Sequence, residues 1–173
     1  ESARFPQDFK GAYFDVRPSH TLYAATLVAY EDKIDYENGR PASEFMVRQE
    51  ISLQTTSHLR WSLDYTHLTL DVAAGRLFRV HAVDAGVTYQ MNRRAFLRAI
   101  AQYTDTVQSE RLYAARVEPL VRTLFVQLLW SYTLNPRTVM FAGYSGDLAG
   151  QRAYGLTETN RTVFLKMGYA LTR

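Results

Sequence analysis

The 173-residue sequence has no cysteine. That excludes a disulfide framework and any thiolate-ligated zinc centre. No stretch approaches the roughly 18 uncharged apolar residues of a membrane helix, and mean hydropathy is only −0.25, so spanning by helices is excluded. Neither sign of charge dominates. Twenty basic and 17 acidic residues give a net charge of +3, and their interleaving leaves no basic stripe for nucleic acid. The nine glycines are scattered, so no phosphate-cradling loop is present. The four histidines form no His-x-His or His-x-x-x-His pair, so neither a metal nor a cofactor is indicated. Glu1 to Pro6 carry neither an initiator Met nor an apolar stretch, which points to processing or truncation of what preceded them.

What is present is alternation. From Arg161 to Arg173, Val163, Leu165, Met167, Tyr169 and Leu171 fall on one face, and Thr162, Lys166, Gly168, Ala170 and Thr172 on the other. Phe164 is the one exception. A side-chain period of two places such sets on opposite faces of a β-strand. The same pattern opposes Leu59, Trp61, Leu63 and Tyr65 to Arg60, Ser62, Asp64 and Thr66. It also opposes Leu124, Val126, Leu128, Trp130, Tyr132 and Leu134 to Phe125, Gln127, Leu129, Ser131 and Thr133. Low mean hydropathy suits such a wall, because every second residue can face water.

Nine strand-like segments are read: Gly11–Arg17, Leu22–Tyr36, Glu44–Thr55, Leu59–Asp71, Phe78–Gln90, Ala95–Asp105, Arg122–Leu134, Thr138–Leu148 and Arg161–Thr172. Pro18-Ser19-His20, Thr56-Ser57-His58, Asn92-Arg93-Arg94 and Asn135-Pro136-Arg137 read as tight turns. Longer connections are expected over Glu37–Ser43, Val72–Leu77, Thr106–Val121 and Ala149–Asn160. Short turns on one side and long loops on the other is the outer-membrane pattern. Trp61, Tyr89, Trp130, Tyr132 and Tyr169 lie near the short turns, and Tyr30, Tyr65, Tyr103 and Tyr144 nearer the loops. Two aromatic belts at two water–lipid boundaries follow. In Thr138–Leu148 the set of Met140, Ala142 and Tyr144 is favoured as lipid-facing over Val139 and Phe141. The fold class expected is an all-β antiparallel transmembrane barrel, with residues 1–173 forming one barrel segment. Nine is odd, whereas bacterial single-chain barrels have an even count, so the segment reads as the C-terminal part of a larger barrel.

Three strings carry a resemblance: Tyr89-Gln90-Met91-Asn92-Arg93-Arg94-Ala95-Phe96-Leu97-Arg98-Ala99, then Leu134 to Val139 followed by Phe141-Ala142-Gly143-Tyr144-Ser145, and Thr159 to Tyr169. The chain resembles the C-terminal barrel of a family of uncharacterised bacterial outer-membrane proteins in which a carbohydrate-binding-like domain precedes the barrel. The resemblance covers residues 85–171 well and the first half loosely. It implies fold and location, and no catalytic motif defines the family. Lys166, Gly168, Tyr169 and Leu171 also resemble the terminal signal read by the barrel-assembly machinery, although Arg173 stands where an aromatic is usual.

Strand parity turns Asp15, Arg17, Arg48, Glu50, Arg60, Asp64, Asp84, Arg98 and Lys166 toward the lumen. They either tune passage of a solute or satisfy one another as cross-strand ion pairs. His67 and His81 lie on the lipid-facing set, where a catalytic role is disfavoured, and no enzyme activity is expected. The function expected is an outer-membrane channel, transporter or assembly scaffold. The alternatives are a soluble β-barrel binding module with an apolar interior and, less favoured, an outer-membrane hydrolase. Outer-membrane lipid, the assembly machinery, and further strands from the same gene product or another polypeptide are the partners expected.

Leu63, Val87, Leu128 and Leu165 fall mid-strand on the apolar faces. Arg at any of them should cost roughly 2–4 kcal/mol at the bilayer midplane against about 0–1 near its edges. Loss of heat-resistant folded migration on gels checks this, and unaltered stability at all four sites refutes the face assignment.

Overall fold

The computed structural model describes residues 8–170. Nine strands form one antiparallel sheet in chain order: β1 (Phe9–Ser19), β2 (Leu22–Asp35), β3 (Arg40–Thr56), β4 (Leu59–Val72), β5 (Gly75–Asn92), β6 (Ala95–Gln108), β7 (Leu120–Asn135), β8 (Thr138–Gln151) and β9 (Tyr154–Tyr169). A 3-10 turn at Glu110–Leu112 is the other regular element among the described residues. Leu171 and Arg173, named above for the assembly signal, lie outside the described residues.

Short polar side chains build the tight turns by binding the backbone that follows them. Asn92 Oδ1 accepts from the Arg94 and Ala95 amides at 2.8 and 3.0 Å. Asn135 Oδ1 does the same for Arg137 at 3.0 Å, and Thr56 Oγ1 for His58 at 3.2 Å. Pro18, which has no N–H, sits where the β1–β2 register shifts between Val16 and Ser19, so its missing donor falls at an irregularity of the ladder.

The opposite ends differ from the sequence expectation. Long connections were expected at Val72–Leu77 and Ala149–Asn160, yet β4–β5 and β8–β9 are two-residue hairpins whose strands run on through those segments. Gly75, at φ +127, supplies the backbone conformation that closes the first of them. The β2–β3 turn is four residues, with Gly39 at φ +59. Only residues 109–119 form a long loop among the described residues.

Register reveals a steady stagger. One row of partners runs Ala24, Ile51, Leu63, Ala85, Ala101, Val126 and Gly146 from β2 to β8. In that row Ala24 is two residues from the short-turn end of its strand and Gly146 is eight from that of β8. One residue of offset per strand, at about 3.3 Å rise and 4.8 Å spacing, tilts the strands by roughly 35°, the geometry of a barrel wall. The four strands leaving short turns, β2, β4, β6 and β8, are all 14 residues long. Ascending and descending strands therefore end on common levels. β1 and β9 each have one strand neighbour, so each leaves a sheet edge unpaired among the described residues.

The two faces are chemically distinct. On β2–β8 the face bearing Leu63 carries no Asp, Glu, Lys or Arg within eight residues of a short-turn end. Its large apolar groups nevertheless stand open, with Ile51 at 43%, Trp61 at 47% and Leu128 at 45% exposure. Phe164, the exception to alternation, lies on the polar face across from Gly143, where its ring occupies the space a Cβ would fill. The Lys166 ammonium stands 5.3 Å from that ring.

The small buried cluster of Ala42, Leu70, Val72 and Leu77 lies at the loop end, with Leu112 and Tyr113 of the long loop packed against it. Arg40 clasps this loop: its Nε donates to Asp35 Oδ2 at 2.7 Å and its Nη2 to the Leu112 carbonyl at 2.6 Å. Burial raises the Asp35 pKa, but hydrogen bonds from Asn38 and Arg40 together outweigh it and hold the carboxyl below its ordinary value. A depressed carboxylate stabilises the fold above the unfolded pKa of 3.8 and loses that contribution as pH falls through the folded value. Amide protection at Ser109–Leu112, taken relative to the intrinsic exchange rate at each pH, should therefore fall below about pH 4. Arg40→Ala should give the same loosening at neutral pH, read as faster tryptic cleavage after Arg111 and Arg116; unchanged cleavage would refute the clasp.

Candidate functional site

The polar face gathers the chemistry, because period two delivers every second residue of nine strands to it. All nine charged residues singled out from the sequence lie there, and cross-strand register sorts them. One row of register partners reads Asp15, Ala25, Glu50, Asp64, Asp84, Gln102, Phe125, Asp147 and Asn160 across β1 to β9. It holds five carboxylates and no base. The row two residues nearer the short turns, Tyr23, Ser52, Ser62, Gly86, Ile100, Gln127, Ser145 and Thr162, is uncharged. The next, Gln54, Arg60, Thr88, Arg98, Leu129, Gly143 and Phe164, has two arginines and no acid.

Stagger converts these rows into levels. Arg17, Arg60, Arg98 and Lys166 all sit within three residues of the short-turn ends of their strands, on β1, β4, β6 and β9. The carboxylates stand farther up. Four of the five bases thus occupy the short-turn end, and the acids, with Arg48 among them, the middle of one wall.

Cross-strand pairing was one expectation for these nine residues. Among the described residues one such pair forms, Arg48 Nη2 to Asp64 Oδ1 at 3.3 Å. The remaining seven form no ion pair among the described residues: Arg17 rests over the Tyr23 ring at 5.0 Å, and Arg60 reaches Gln54 Oε1 at 3.4 Å. The physical reason is the sorting itself. Direct neighbours Glu50, Asp64 and Asp84 have the same sign, which disfavours their juxtaposition instead of neutralising it. Asp147 belongs to the same row and was missed, because the parity of β8 is ambiguous until its partner Phe125 fixes it.

The aromatics occupy the opposite face near the short turns. Trp61 and Tyr89 are each 47% exposed and Tyr169 is 60% exposed, and Trp130 stacks on Tyr132 at 5.8 Å. Tyr144 shares that face with its partners Leu128 and Val163. An apolar hollow of about 670 Å³ also opens there, where Ala85, Ala99 and Ala101 leave room between Trp61 and Leu128. Lys166 lies on the polar face opposite Phe141, and Gly168 opposite Val139.

His67 and His81 face each other directly across β4 and β5, Nδ1 to Nδ1 at 3.3 Å, with the Tyr65 hydroxyl 2.8 Å from His81 Nδ1. Asp105 is His81's partner on the other side and is bound by Arg122 Nε at 3.0 Å. This cluster lies on the apolar face toward the loop end, so it closes off the uncharged band and does not face the polar wall.

No protein-family model and no curated protein sequence matches the chain. Solved structures do. In-vitro folded OmpT, an outer-membrane protein of Vibrio cholerae, is similar over 94% of this chain and 55% of its own, at 13% identity and a TM-score of 0.62. OmpT of Vibrio cholerae expressed in the outer membrane gives 94% and 56%, 14% identity and 0.60. The outer-membrane channel DcaP of Acinetobacter baumannii gives 91% and 61%, 13% identity and 0.49. The chain spans about half the length of the OmpT structures it matches. Its fold is that of an outer-membrane β-barrel wall, all-β and antiparallel.

Because Arg48, one same-face position above the acidic row, is paired with its Asp64, Arg48→Gln should lower stability by about 0.5 kcal/mol at low salt. The loss should fade at high salt and vanish in the Asp64→Asn background. Urea midpoints at two ionic strengths measure it; a salt-independent loss would refute an electrostatic role.

Proposed function

We propose that this chain forms part of the wall of a bacterial outer-membrane channel that passes small polar solutes through a water-filled lumen. The observation carrying this reading is the contrast between the faces. One is exposed, uncharged and apolar over about ten residues, roughly 25–30 Å at this tilt, which suits a hydrocarbon layer. The other bears charges that are largely free of protein partners, and a lumen filled by side chains would pair them. A soluble module with an apolar interior would instead bury the Leu63 face, and the reading assigns the chain no catalytic step.

The edges shape the rest of the proposal. Eight antiparallel steps leave β1 and β9 running in the same direction, so an odd number of further strands keeps every pairing antiparallel. Nine strands matching 55–56% of the OmpT structures scale to about sixteen in all, a porin-sized barrel. In hydrocarbon each unsatisfied backbone group costs several kcal/mol, so these edges are met by strands of the same polypeptide, as the resemblance to longer proteins with a carbohydrate-binding-like domain suggests, or of another.

Proteoliposomes containing the purified full-length protein should swell in isosmotic small sugars and exclude large dextrans. Native mass spectrometry of the same preparation should show a mass exceeding one copy of these 173 residues. Impermeability to every solute would overturn the channel reading, and a closed, monodisperse barrel of this chain alone would overturn the completion of its edges.

A further inference from the structure

On the polar face, at the short-turn end of β1–β4, a depression of about 660 Å³ has Arg17, Tyr23, Glu50, Ser52, Gln54 and Arg60 in its lining, together with the His20 imidazole of the β1–β2 turn. It contains two guanidiniums and one carboxylate, none of them in an ion pair among the described residues. Their arrangement is polar in the literal sense. Arg60 is the register partner of Gln54, four residues along β3 from Glu50, a rise of roughly 13 Å at about 3.3 Å per residue. Arg17 lies within three residues of its short-turn end, as Arg60 does, so the two cations share one level. Between the levels stands the neutral hydroxyl of Ser52, and the Gln54 amide lies beside Arg60. Long arginine side chains shorten the gap between the charges, leaving a span that a carboxylate and an amine on one short molecule can bridge.

We propose that this depression binds zwitterionic solutes of dipeptide size, the carboxylate held by Arg17 and Arg60 and the ammonium by Glu50. This deepens the channel reading and rests on the polar face being water-filled. A simple anion meets Glu50 as a like charge, and a simple cation meets the two arginines. Only a molecule carrying both signs in this order finds every charge complemented. Tyr23 stacks against the Arg17 guanidinium, which restrains its fork for bidentate capture of a carboxylate.

The test is calorimetric titration of the folded full-length protein with glycylglycine, N-acetylglycine and glycinamide. Glycylglycine should bind about tenfold more tightly than either singly charged analogue. Arg17→Gln with Arg60→Gln should reduce it to the level of glycinamide, and Glu50→Gln to that of N-acetylglycine. The expected change is about tenfold in each case. Glu50→Gln alone keeps the proposal falsifiable should the double variant fail to fold. Equal binding of N-acetylglycine, no measurable glycylglycine binding, or insensitivity to Glu50→Gln would overturn it. Swelling assays on the same protein separate the two readings: binding without any solute flux refutes the channel and leaves this site standing, whereas flux without glycylglycine binding does the reverse.

Discussion

Every feature of this wall depends on one constraint: in hydrocarbon a backbone N–H or C=O has no water to bond, so each must find a partner in the next strand. Continuous ladders between consecutive strands satisfy seven of the nine on both sides. Once the ladders are fixed, side chains have no remaining freedom of face. A slip of one residue would move Leu63 and Leu128 to the charged side and Asp64 to the apolar one. Register, face and charge rows are therefore one property of the chain.

That dependence explains how much could be read from the residues alone. Period two is local, so the existence and order of all nine strands and the polar face of Arg60 and Asp64 were legible in stretches such as Leu59–Thr66, whereas Asp147, on a strand of ambiguous parity, was not. Where alternation failed, at Phe164, the explanation was non-local: the ring needs Gly143 beneath it, on the neighbouring strand. The loop ends were misjudged for the opposite reason. Gly, Asp and Asn around Val72–Leu77 and Ala149–Asn160 favour turns, yet two residues suffice to reverse the chain, and polar strands beyond the bilayer need no alternation to persist.

The candidate site was legible as a set and illegible as an arrangement. Parity names Asp15, Glu50, Asp64 and Asp84 as inward. That they share a single row is a statement about residues 14 to 35 apart in sequence, which no local pattern encodes. Nor does sequence announce the Arg40 clasp, whose acceptor is a backbone carbonyl 72 residues away. Sorting of charge by height arises only when register and stagger are combined, and it turns a list of mixed signs into a wall with a direction.

The constant offset of one residue per strand has a consequence for descent. A two-strand hairpin inserted into such a wall arrives with the same lean as its neighbours and ends on the same two levels, since β2, β4, β6 and β8 are interchangeable in length. Circumference can then change by whole hairpins while every existing contact keeps its partner. Walls of this kind can widen or narrow by duplication and loss, and their internal chemistry travels with each hairpin as a unit.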